Sequence, residues 1–94
     1  MILMTELDQA RQEINRINQQ LVKLLEQRFT AVTKVNNYKV AHQLPILDQQ
    51  REQAILNKVT AETSDPAKAP FIAAIFKDIM KQSRQYEQAL RKED

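Results

Sequence analysis

Three basic residues, Arg11, Arg28 and Lys39, fall on a stretch that reads as one long helix, and a fourth, Arg51, opens the next helix between Asp48 and Glu52. Arg28 precedes Phe29 and takes a position inside an apolar repeat, one heptad after Leu21 and one before Val35. A cation in such a place costs free energy unless something anionic meets it. Few acids are placed to do so, and these residue types therefore point to an anionic ligand. Arg28 and Lys39 are 11 residues apart. That is close to three turns, so they project from one face roughly 16 Å apart along the helix axis. Both side chains are long enough to converge on a small molecule between them. Arg11 precedes Arg28 by 17 residues, roughly 25 Å along the same axis, and reaches such a ligand only from an antiparallel partner.

Polar residues also intrude on apolar faces further along. Ser83 follows Ile79 by four and Met80 by three, and Glu87 follows Ser83 by four, so both share the face that carries Phe76 and Met80. Asp48, Arg51, Glu52, Ile55 and Val59 lie on one side of the preceding helix, polar at its start and apolar below. A pocket with polar walls and an apolar floor has this pattern. Each residue also has an ordinary reading. Ser83 can bond back to the Ile79 carbonyl. Glu87 can pair with Arg84 or Arg91 at the surface, Arg11 with Asp8, and Arg28 with Glu26 or an acid of a partner chain. Lys39 near a helix C-terminus is favourable with the dipole, and Asp48 as a cap needs no further role.

Three helices must position these groups. Thr5-Glu6-Leu7-Asp8 caps the first. Apolar residues then recur at Leu7, Ala10, Ile14, Ile17, Leu21, Leu24, Leu25, Val32 and Val35, in steps that mark a helix seam. Nothing interrupts the pattern before Ala41, and Pro45 forces a stop, which predicts a helix from about 6 to about 40. That element is about 50 Å long, whereas a compact chain of this length is only about 30 Å across. The seam then needs a partner, and a two-fold related second copy is the simplest. An intertwined homodimer is the expectation. Asp48 caps the second helix, with Ile55, Leu56 and Val59 as its apolar residues. Thr60 to Asp65 reads as a turn. Asp65-Pro66 and Pro70 offer two starts for the third helix, whose stripe is Phe71, Ile72, Ile75, Phe76, Ile79, Met80, Tyr86 and Leu90, with fraying expected from Arg91 to Asp94. The whole is an all-α, single-domain chain over 1–94, with its core over about 5–90.

Composition narrows the chemistry. The chain has 94 residues, no cysteine, no glycine and one histidine, with a net charge of +2. Disulfides, thiolate catalysis and glycine-rich phosphate loops are excluded. His42 alone makes no zinc site and reads as an exposed loop residue. The charges are mixed along the chain rather than gathered in a run, so nucleic acid is not expected as a partner. Met1 to Met4 lacks the length and basic flank of a secretory signal. No apolar stretch approaches the roughly 20 residues of a membrane span. A cytoplasmic location is expected.

Arg11, Arg28, Lys39, the run Asp48-Gln49-Gln50-Arg51-Glu52, and then Ser83 and Glu87 together resemble the all-helical, type II chorismate mutases over about residues 5 to 90. The resemblance implies a three-helix protomer interlocked as an all-helical homodimer, and conversion of chorismate to prephenate without cofactor or metal. It implies that Arg28, and Arg11 of the other subunit, grip the two substrate carboxylates. Ser83 would add a hydrogen bond to the ring carboxylate. Glu52, helped by the backbone near Asp48, would hold the ring hydroxyl, with Arg51 supporting that wall. Lys39 would donate to the ether oxygen as its C–O bond breaks. The second donor in the family is often a glutamine, and Glu87 stands there instead. A carboxyl donates only when protonated, so activity is expected to favour acidic pH. An isochorismate pyruvate lyase would share the carboxylate-gripping cations, but Asp48 to Glu52 supply a partner for the ring hydroxyl and favour the mutase. A non-enzymatic helical adaptor would put Arg11, Arg28 and Lys39 on an open surface and would prefer leucine at the seam positions of Arg28, Ser83 and Glu87.

Overall fold

The computed structural model describes residues 3–92, which form three helices, α1 (Glu6–Ala41), α2 (Gln49–Glu62) and α3 (Ala69–Arg91). No strand occurs among the described residues, and the all-α expectation holds. None of these helices is long and apolar enough to cross a membrane.

The start of α1 follows from Thr5. Its Oγ1 accepts from the Asp8 N–H at 3.0 Å, and the Asp8 carboxylate accepts from the Thr5 N–H at 3.2 Å. This reciprocal cap has aspartate where glutamate or glutamine is commoner. At the other end Gln43 takes φ 56°. The Leu44 N–H reaches the Lys39 carbonyl at 2.8 Å and the Gln43 N–H the Val40 carbonyl at 3.2 Å, which is the Schellman pattern. Glycine usually fills that left-handed position, and this chain has none.

Two boundaries depart from expectation. Helix α2 runs on through Thr60, Ala61 and Glu62, none of which breaks a helix, and ends where the Thr63 hydroxyl bonds the Val59 carbonyl at 2.7 Å. Helix α3 begins at Ala69 rather than at 66. Asp65 folds a separate turn, its carboxylate accepting from the Ala67 N–H at 3.0 Å and its carbonyl from the Lys68 N–H at 3.0 Å. Pro70 sits in the first turn of α3, where its missing N–H is harmless.

The chain divides into two compact units that meet between Ala31 and Val32. In the first, the seam residues Leu7, Ile14, Ile17, Leu21 and Leu24 are exposed, by 48% to 59%. The second holds the end of α1 with α2 and α3. Here α2 lies against α3, Met80 is buried, and Ile55, Leu56, Val59, Ile72, Phe76 and Ile79 are half-buried. Phe71 and Ile75, expected in the inward stripe, are exposed instead. They lie about 180° and 140° from Met80 around α3 at 100° per residue. Within the same unit Asn36 of α1 is buried and accepts from the Arg91 Nε at 2.9 Å. Arg91 also reaches the Leu44 carbonyl at 3.3 Å, so it is an anchored helical residue rather than a frayed one. Lys92 caps the helix, its N–H bonding the Ala89 carbonyl at 3.2 Å, and the rest of the expected fraying falls on residues 93 and 94, outside the described residues.

Candidate functional site

Arg11 is exposed and Arg28 half-buried, both on the part of α1 that belongs to the first unit. The other six candidates belong to the second. Of these, Lys39 on the last turns of α1 meets Glu87 on α3. Its ammonium nitrogen lies 3.3 Å from one carboxylate oxygen and 3.4 Å from the other. Lys39 also donates to the Ile46 carbonyl at 2.7 Å. An ammonium has three hydrogens. When one N–H is shared between the two oxygens of Glu87, one remains for a ligand. The sequence places few acids near these cations, yet Lys39 finds a counter-ion in the same chain, 48 residues later.

Glu87 is only 4% exposed and Ser83 7%, as their four-residue spacing along the Phe76–Met80 face predicts. The surface pairing of Glu87 with Arg84 or Arg91 does not occur, because those two arginines bind other groups. Ser83 donates to the Ile79 carbonyl at 2.8 Å, its ordinary reading, and its hydroxyl is buried on the same face as Glu87.

Helix α2 supplies the next wall. Asp48 is its cap, accepting from the Arg51 N–H at 3.0 Å, and the Glu52 N–H bonds the Asp48 carbonyl at 3.0 Å. The Arg51 side chain is exposed, so its tie to Asp48 runs through its backbone. Support for Glu52 comes instead from Arg84 of α3, whose Nη1 lies 2.6 Å from both carboxylate oxygens. Sequence reasoning missed that contact, the Ile46 carbonyl on Lys39 and the Asn36–Arg91 bond. Only the first left a signal, since Arg84 neighbours Ser83 and precedes Glu87 by three. Met80, Ser83, Arg84 and Glu87 fall within an arc of about 100° on α3.

His42, expected to be an ordinary loop residue, is exposed and stacks on Tyr38 with ring centroids 3.9 Å apart. No group of histidine and acidic residues that could hold a metal occurs among the described residues. The second unit therefore offers a sheltered ammonium, two carboxylates each bound to a cation, and a buried hydroxyl. Its two pairs, Lys39–Glu87 and Arg84–Glu52, cancel in charge, so an anion brought to these groups needs further cations.

The family model described as chorismate mutase type II matches residues 10–88. That span contains all eight candidate residues, from Arg11 to Glu87. No curated protein matches the chain.

Proposed function

Because the chain belongs to the type II chorismate mutase family, we propose that it converts chorismate to prephenate, on the route to phenylalanine and tyrosine. The observation that carries this reading is the sheltered Lys39–Glu87 pair beside the buried Ser83, at positions where the family pattern places its ether-oxygen and carboxylate contacts. An adaptor would have no use for a buried serine and glutamate on its helix seam.

The reaction is a rearrangement within one molecule. One C–O bond breaks, one C–C bond forms, and no electrons or atoms enter or leave. Catalysis is then orientation of the enolpyruvyl side chain over the ring, together with stabilisation of charge on the departing ether oxygen. On this reading Arg28, and Arg11 of a second copy, bind the two carboxylates by forked contacts that fix direction as well as distance. They also supply two positive charges beyond the pairs Lys39–Glu87 and Arg84–Glu52, which cancel each other. The dianion therefore supports a homodimer with shared sites, and the exposed seam from Leu7 to Leu24 supplies apolar surface for that association. Ser83 turns its O–H from the Ile79 carbonyl to donate a hydrogen bond to the ring carboxylate. Glu52 and the backbone near Asp48 hold the ring hydroxyl. Lys39 donates to the ether oxygen, more strongly as charge develops there. The family match runs across both compact units and supports one functional domain.

Glu87 accepts from Lys39 in the ion pair, so it must take up a proton to donate alongside it. Turnover should then be higher at the acid end of the range than at the basic end. The test is chorismate consumption with product identification by the purified protein between about pH 5 and 8. Prephenate as product supports the reading, and a folded protein that leaves chorismate untouched overturns it. Glu87→Gln keeps a donor at every pH and should flatten the profile. An equally steep loss in that variant removes the role of the Glu87 proton.

A further inference from the structure

Arg84 has no part in the scheme above, yet it makes one of the shortest side-chain contacts in the protein. Its Nη1 bridges both oxygens of Glu52 at 2.6 Å, from α3 across to α2. We propose that Arg84 is a positioning residue, holding the Glu52 carboxylate as acceptor for the substrate's ring hydroxyl and so enforcing selection for a hydroxylated ring. This rests on the chorismate mutase reading.

A free glutamate side chain has three rotatable bonds and samples many directions. Both oxygens of Glu52 are instead fixed on one nitrogen. A carboxylate carries about four lone-pair sites. Arg84 uses one on each oxygen and leaves the others for a hydroxyl donor. A carboxylate can only accept, and it stands here opposite a group that donates.

The placement of Arg84 on α3 also sets where Glu52 stands relative to Ser83 and Glu87. Around the helix Glu87 lies between Ser83 and Arg84, about 40° from Ser83 and 60° from Arg84. Arg84 therefore ties the group assigned to the ring hydroxyl to the helix that carries the groups assigned to the ether oxygen and ring carboxylate. Those groups must meet different edges of one rigid ring, so their separation matters as much as their identity. The pairs Lys58–Glu62 and Lys68–Asp65 sit at 4.0 and 3.9 Å between well-exposed side chains. Arg84 and Glu52 are shorter and more sheltered, at 32% and 25% side-chain exposure.

The experiment compares chorismate with an analogue that lacks the ring hydroxyl, using the purified full chain. Arg84→Met should lower kcat/KM for chorismate by about 10- to 100-fold, the scale of a misplaced contact, and leave the analogue within about twofold. Added to Glu52→Ala, it should cost nothing further. Arg84→Lys keeps the charge without the planar fork and should fall between; it carries the same comparison if the methionine variant does not fold. Equal losses on both substrates, or losses that add to those of Glu52→Ala, overturn the proposal. Wild-type protein that makes prephenate while the variants show equal losses sinks Arg84 alone. Wild-type protein that makes none sinks the underlying reading with it.

Discussion

Helix α1 is continuous, but its two stretches on either side of Ala31 and Val32 end differently. The N-terminal stretch leaves Leu7, Ile14, Ile17, Leu21 and Leu24 exposed. The C-terminal stretch sends Thr33, Asn36 and Lys39 to polar groups of α3: the Tyr86 hydroxyl at 3.3 Å, the Arg91 guanidinium and the Glu87 carboxylate. Buried polar groups must find partners at once, because each unsatisfied one costs its full desolvation. Apolar surface is non-directional and can be covered by whatever fits. The chain satisfies these polar groups by itself and leaves its N-terminal apolar seam exposed.

The largest expected effect tests whether the open stretch completes the closed one. Arg11→Ala and Arg28→Ala should each abolish turnover alone. Mixed in equal amounts with subunit exchange, half the dimers are mixed and each carries one intact site. About a quarter of wild-type activity should then return, as a two-fold shared interface requires. No recovery in exchanged mixtures would break the comparison at its centre.

A smaller effect concerns the seam itself. Leu21→Glu removes a side chain worth about 1.5–3 kcal/mol on burial and does so twice across a two-fold axis. The dimer should loosen by about a hundredfold or more, read by sedimentation over a dilution series. If Leu21 stays in water, the same change costs within about 0.5 kcal/mol, and an unaltered sedimentation profile would show it.

The smallest effect lies at the end of the closed stretch. Gln43→Gly relieves a β-carbon held in the left-handed region and should stabilise the fold by about 1 kcal/mol. A thermal melt should rise by several degrees, and an unchanged midpoint would mean the turn carries no strain.

What the sequence displayed and what it hid divide along range. Helix starts at Thr5 and Asp48 were legible because a cap is a contact over three residues. The end of α2 and the start of α3 were not, since Thr60 to Glu62 tolerate either state and Asp65-Pro66 signals a turn as readily as a cap. The intrusion of Ser83 and Glu87 into a buried face was legible from spacing alone. Their surroundings were not, because Lys39 and Glu87 are 48 residues apart and Glu52 and Arg84 are 32 apart. The inference that few acids stand near the basic residues failed for Lys39 for that reason. It judged neighbours by position in the chain, and the neighbour came from another helix.

Among the described residues Gln43 is the one non-glycine residue at positive φ, and the chain has no glycine at all. Everywhere else among them the backbone has a geometry open to any ordinary L-amino acid, proline apart. A saturation scan of this protein would consequently report side-chain chemistry almost undiluted. Intolerance at a position would signal a lost contact, charge or volume, and not a chain path that only glycine can follow. Position 43 would stand out with the opposite preference, as the place where the smallest residue is the fittest.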